Sequence, residues 1–144
     1  MRVLALDLGE ARIGLALSDS AGVLASPYGV ITRSGDPVAD RTRIAETVRQ
    51  SGAGLVVVGH PLLLSGRRGQ AAERAEAEAA LLAGQLTVPV ELFDERLTTR
   101  EATRRRRERS LSGSGRKRRA GREGIDAEAA AVLLEAYLAA RGGA

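Results

Sequence analysis

Four carboxylates stand where apolar chain gives way to polar chain: Asp7 in LALDLG, Asp94 and Glu95 in LFDERL, and Asp126 in GIDAEAA. Asp7 makes the strongest demand. Alternate side chains of a strand share a face, so Val3, Ala5 and Asp7 point one way and Leu4, Leu6 and Leu8 the other. An ionised carboxylate ending an apolar stripe is costly unless a cation, a set of donors or the mouth of a cleft compensates it. Carboxylates brought together repel one another, and a hard divalent cation such as magnesium or manganese requires that all-oxygen environment. Two such ions about 3.5 to 4 Å apart activate a water and stabilise the leaving oxygen of a phosphodiester, with no need of a serine, cysteine or histidine nucleophile. Each acid also has a plainer use. Asp7 can cap the turn at Gly9, Asp94 and Glu95 can pair with Arg96 on the surface, and Asp126 can cap a helix. The single histidine, His60, reads as a packing or loop residue, with an acid/base role left open.

The elements that must position these groups can be read along the chain. Two apolar segments, 3–8 and 13–18, flank Gly9 to Arg12 and predict a hairpin, and a third strand is expected near 28–32. Asp36 followed by Pro37 predicts a capped helix with Val38, Thr42, Ala45 and Val48 on its apolar face and Gly52 at its end. The continuous apolar run 55–58 suits a central strand covered on both faces. A helix over 70–86 and a short strand over 88–93 then imply a parallel crossover. Thr98 or Thr99 can cap a helix running into the arginines, a mobile basic loop follows to about 124, and a last helix is expected from about Asp126 to Arg141. The fold class is α/β: a mixed five-stranded sheet, its first three strands antiparallel, flanked by helices in one domain over 1–144. Strand ends then bring Asp7, His60, Asp94 and Glu95 to one rim, and the last helix can return Asp126 to it.

Composition narrows the function classes. The 144 residues contain no cysteine and one histidine, which excludes disulfides, thiolate zinc sites, cysteine nucleophiles and histidine-rich metal sites. Aromatics make up only 2%, too few for the stacking platforms that hold single strands. No apolar run approaches a membrane span and no signal layout opens the chain, so a cytoplasmic location is expected. The net charge of +4 is unevenly distributed. Residues 100–122 hold ten arginines and Lys117 against Glu101 and Glu108, a net +9 that leaves the remainder at −5. Such a block is either a solvated face or the electrostatic footprint of a phosphate-backbone binder.

Four motifs in register carry a family resemblance. Asp7, Gly9, Arg12 and Gly14 form DxGxxRxG, Gly59 and Pro61 form GxP with Gly66 downstream, residues 94–99 read DERLTT, and Asp126, Ala129, Ala130, Leu133, Leu134 and Tyr137 follow the basic segment. In this order and spacing, over nearly the whole chain, the sequence resembles the YqgF/RuvX family of RNase H-like nucleases. The resemblance implies an RNase H-like fold and a phosphodiesterase site using magnesium or manganese, with Asp7, Glu95 and Asp126 as catalytic and metal-holding carboxylates and Asp94 as a further candidate ligand. Arg12 and Arg96 would hold a phosphate or order the carboxylates. Nucleic acid would be gripped by these two together with Arg104, Arg105, Arg116, Lys117, Arg118 and Arg119. The substrate would be precursor small-subunit ribosomal RNA, bare or in ribosomal precursor particles, or else a Holliday junction in DNA, attacked by a monomer or a homodimer. Two positions depart from the family pattern: Ser65 stands where many members carry an acid, and His60 where an aliphatic residue is common.

Two other classes compete. The DxG turn also resembles the phosphate loop of the actin, Hsp70 and sugar-kinase superfamily, but such proteins clamp ATP between two domains and nothing here resembles a second phosphate loop. A non-catalytic nucleic-acid binder would use the arginine block and leave the three acids without a role. If the arginines grip backbone phosphates, nucleic-acid affinity measured by fluorescence anisotropy will fall by orders of magnitude between about 50 and 200 mM salt. Affinity indifferent to salt would remove the block from that role.

Overall fold

A computed structural model describes residues 1–98 and 122–142, and its core is one mixed sheet. Strands β1 (Val3–Leu8) and β2 (Arg12–Ser18) form the expected antiparallel hairpin, with Leu4 opposite Leu17, Asp7 opposite Gly14 and Leu8 opposite Ile13. The Gly9 N–H donates to the Arg12 carbonyl at 2.9 Å, and a Cβ on Gly9 would lie 2.6 Å from that oxygen, so the turn requires glycine. Strand β3 (Ala25–Thr32) continues the antiparallel run after a bulge between Leu15 and Ala16. It begins three residues earlier than its apolar content suggests, because β2 offers backbone partners as far as Ser18, opposite Ala25.

Helix α1 (Pro37–Ser51) is capped by Asp36, whose carboxylate accepts from the Val38 and Ala39 N–H groups, and stops at Gly52 with φ 73°. Its buried face differs from the expected one. Asp40, Ile44, Val48 and Ser51 point inward, whereas Val38 is 64% exposed. Apolar residue type misleads here because the buried Asp40 is satisfied locally: the Ser34 N–H and hydroxyl both donate to its carboxylate, and those bonds hold it below the usual carboxylate range.

Strand β4 (Leu55–His60) lies parallel to β1, helix α2 (Gln70–Gln85) crosses over, and β5 (Val90–Asp94) lies parallel to β4. The strand order is β3-β2-β1-β4-β5. A 3-10 turn (Glu95–Leu97) ends β5, with the Thr98 N–H donating to the Glu95 carbonyl at 3.1 Å. The last helix, α3 (Arg122–Gly142), starts four residues ahead of the expected position, so Asp126 sits one turn inside it and is no N-cap. The expected arginine-bearing helix after Thr99 and most of the basic loop lie outside the described residues. No helix among those described is long and apolar enough to cross a membrane.

Each sheet face has its own layer. Leu4, Leu6, Ile13, Val56 and Val58 pack with Ile44, Val48, Ala79 and Leu82 of α1 and α2. Val3, Ala5, Ala16, Leu55 and Val57 pack with Ala130, Ala131, Leu133, Leu134 and Leu138 of α3. The run 55–58 is buried on both sides, as a central parallel strand should be. Helix α3 comes unusually close to β2: a Cβ on Gly14 would run into the Asp126 carbonyl group, 2.7 Å from its carbon. The helix backbone can rest on the strand only because Gly14 has no side chain. Gly14→Ala is therefore expected to cost about 1–3 kcal/mol or more through overpacking, read as a lower urea midpoint at unchanged slope. A wild-type midpoint would mean that α3 does not bear on this strand.

Candidate active site

Asp7 faces α3, in line with Val3 and Ala5, at the carboxyl end of β1. On one side its neighbour is Gly14. On the other, one residue beyond the last β1–β4 pair of Leu6 and Val58, comes Gly59, itself opposite Phe93 of β5. The row across the sheet thus reads Gly14, Asp7, Gly59, Phe93, with the carboxylate between two positions that carry no side chain.

One gap is filled by an acid side chain from elsewhere and the other by helix backbone. Glu95, just past β5, extends its carboxylate over Gly59, where a Cβ would lie 3.1 Å from the carboxyl carbon and collide with an oxygen. It thereby crosses a whole strand to meet Asp7. On the opposite side α3 lies on Gly14 and brings Asp126. The Arg12 Nε donates to Asp126 Oδ2 at 2.5 Å, joining the start of β2 to the last helix.

The electrostatics follow from this crowding. Burial pushes the Asp7 carboxyl up, and the negative charge of Asp126 adds to the shift, against a hydrogen bond from Glu95. Glu95 is pushed up from its ordinary 4.5 to about 7, by burial first, then by the charge of Asp7 and by the hydrogen bond it donates to Asp7. Near neutral pH the pair holds a proton between its carboxyls.

The neighbouring Asp94 behaves oppositely. Its carboxylate accepts from the Arg96 N–H, Nε and Nη2 at 2.9, 3.1 and 2.7 Å, and this bonding holds it below the usual carboxylate range. Asp94 caps the 3-10 turn while Glu95 turns inward, a division that adjacent positions in DER do not reveal. Arg96 also donates to the Leu64 carbonyl at 3.5 Å. His60 is tied to α2, its Nε2 2.6 Å from Glu76 Oε2, and Glu76 is clamped in turn by the Arg68 guanidinium at 2.5 to 3.0 Å. The packing role expected of His60 fits these contacts.

A cleft of about 400 Å³ opens beside the acid pair, and its lining includes Asp7, Gly59, Glu95, Arg33, Arg74 and Glu78. Arg33 donates through Nε to the Gly9 carbonyl at 2.8 Å and reaches Glu78 at 3.3 Å, tying the hairpin turn to α2. Nothing in the local sequence around Arg33 signals this, because both partners are distant in the chain. Arg104, Arg105, Arg116, Lys117, Arg118 and Arg119 lie outside the described residues. Among the described residues, no three histidine, cysteine or carboxylate side chains converge where one metal ion would hold them together.

Comparison with known proteins agrees with this architecture. A family model described as "RuvX: Holliday junction resolvase" matches residues 1–140. A protein of Pelotomaculum thermopropionicum named "Putative pre-16S rRNA nuclease" is 48% identical over 142 residues, covering 99% of this chain and 89% of its own length. A protein of the same name from Anaeromyxobacter sp. (strain Fw109-5) is 48% identical over 141 residues, covering 98% of both. Among solved structures, Thermus thermophilus RuvC in complex with a Holliday junction substrate superposes with a TM-score of 0.63 at 20% identity, over 99% of this chain and 96% of that one, which establishes the RNase H-like fold. With its family match running from the first strand to the last helix, the chain belongs to the RuvX family.

Proposed function

We propose that the chain is a divalent-metal-dependent endonuclease that hydrolyses phosphodiester bonds in precursor 16S ribosomal RNA, acting in the cytoplasm as one nuclease domain with a basic segment at about 98–124. The observation that carries this reading is the meeting of Asp7 and Glu95 across Gly59 beside an open cleft. Two partly buried carboxyls, both held above the ordinary carboxylate range, are short of positive charge. A cation would supply it.

The donor set fits magnesium or manganese. Magnesium is ordinarily held by one or two carboxylates together with waters and substrate phosphates, without a closed cage of protein ligands. Asp7 and Glu95 provide the two carboxylates, and Asp126 is the third candidate. Asp94, engaged by Arg96, is less suited. When bound, the ion would supply Lewis-acid stabilisation of the scissile phosphate and a more acidic attacking water. The chain's own groups do the rest. Asp7 and Glu95 would hold the cation in place of the proton they share, Arg12 and Arg96 offer guanidinium groups to substrate phosphates, and the basic segment holds the backbone without reading sequence. The names of the relatives support ribosomal RNA as the substrate. The description of the family model favours a second reading, resolution of Holliday junctions.

The test is cleavage of a precursor ribosomal RNA fragment and a four-way DNA junction in parallel, with magnesium or manganese, by wild type and Asp7→Asn. Cleavage of the RNA that Asp7→Asn slows by at least a hundredfold, about 3 kcal/mol of transition-state stabilisation, is the expected outcome. Cleavage of the junction alone would favour the second reading, and metal-independent cleavage would overturn both.

The acid pair also sets a pH dependence. The folded-state carboxyl of Glu95 is raised from 4.5 to about 7, so its contribution to stability is full below about 4.5 and is lost as pH rises through about 7. In EDTA, the melting temperature of Glu95→Gln relative to wild type should rise as the pH is taken from about 5 to 8, and magnesium should restore the wild type selectively. A difference that does not vary with pH would mean that burial and Asp7 do not hold Glu95 above its ordinary range.

A further inference from the structure

The Asp126 backbone is already beside Asp7: its carbonyl rests on Gly14, the strand neighbour of Asp7. Its side chain is not committed to the acid pair. The carboxylate is held by Arg12 at 2.5 Å, and no three ligand-type side chains converge among the described residues. The third acid is delivered by the fold close enough for its charge to act on Asp7, while its carboxylate is bonded to one arginine.

That arginine is suited to exchange partners. Among the described residues Arg12 makes a single side-chain hydrogen bond, through Nε, which leaves most of its five donors uncommitted there. Arg12 is 27% exposed and Asp126 29%, so a nucleic-acid backbone can reach the contact. A phosphate engages a guanidinium bidentately, a geometry that the one-point contact with Asp126 does not use.

We propose that Arg12 is a positioning residue that holds Asp126 away from Asp7 and Glu95 in the free protein and releases it when a substrate phosphate takes the guanidinium, so that the third metal-holding carboxylate is assembled by the substrate. The proposal rests on the metal-dependent nuclease reading. Metal and nucleic acid then bind with positive coupling, and each tightens the other by the same factor. The free protein holds its cation with two carboxylates, and full affinity appears only on the substrate.

The test is a calorimetric titration with Mn2+, without nucleic acid, of wild type, Arg12→Gln, Asp126→Asn and the double variant, each checked for folding by its thermal transition. Arg12→Gln should bind Mn2+ about tenfold more tightly, since ligand charge and the populated competent state set cation affinity. Asp126→Asn should weaken binding only modestly in the wild-type background, through loss of its charge near Asp7, yet abolish the gain in the Arg12→Gln background, a coupling that bulk charge removal does not produce. Should Arg12→Gln fail to fold, Arg12→Lys, which keeps the charge and loses the fork, should show a smaller gain with the same dependence on Asp126. A gain that survives Asp126→Asn, no gain at all, or equal weakening by Asp126→Asn in both backgrounds would overturn the latch. Absence of Mn2+ binding by every variant would instead overturn the metal-dependent reading on which it rests.

Discussion

A carboxylate in the middle of a β-sheet needs room on both sides, and in this protein two glycines provide it. Asp7 lies between Gly14 on β2 and Gly59 on β4. Any side chain at Gly59 would occupy the path by which Glu95 reaches Asp7, and any at Gly14 would lift α3, and Asp126 with it, off the sheet. Three acids from the first strand, the end of the fifth strand and the last helix can gather on one face because that row of the sheet is stripped to backbone. The rest of the sheet supplies stiffness. Its central strands are buried under helices on both faces, so the row cannot bend to relieve the repulsion it creates.

Charges around the acids are sorted by geometry. Asp94, Glu76, Glu78 and Asp126 each meet an arginine and form ordinary partnerships, while Asp7 and Glu95 meet mainly each other. An acid beside a guanidinium is electrostatically satisfied. Two acids sharing a proton in a partly desolvated cleft are not, and that imbalance separates a structural charge from one poised to take up a cation. Asp126 stands between the two groups, close enough to raise the proton affinity of Asp7 yet paired with Arg12.

His60 and the loop after it belong to the scaffold of this arrangement. The His60–Glu76–Arg68 chain anchors the end of β4 to α2, which keeps Gly59 level with Asp7. Arg33 does the same for the hairpin turn through Gly9. Neither residue needs to touch the chemistry for its loss to disturb it, because both fix the strand ends from which the acids project.

From the sequence alone, alternation placed Asp7 on the same side as Val3 and Ala5, the unbroken run 55–58 marked the central strand, and the Asp36–Pro37 and Gly52 signals bounded α1. All of these are local, set by side-chain period, capping and backbone freedom within a few residues. The tertiary structure alone decided the matters that depend on distant partners. Asp94 and Glu95 are neighbours with the same charge, and only the 3-10 turn sends one to Arg96 and the other over Gly59. Asp126 looked like a cap because the helix start was read from its type, whereas α3 begins a turn earlier and bears on Gly14. The inward face of α1 turned on the hydrogen bonds that Ser34 gives Asp40. The contact between Arg12 and Asp126 joins residues 114 positions apart. Sequence states which groups are present and which face each takes locally; which of them meet follows from strand order and register, which are properties of the folded chain.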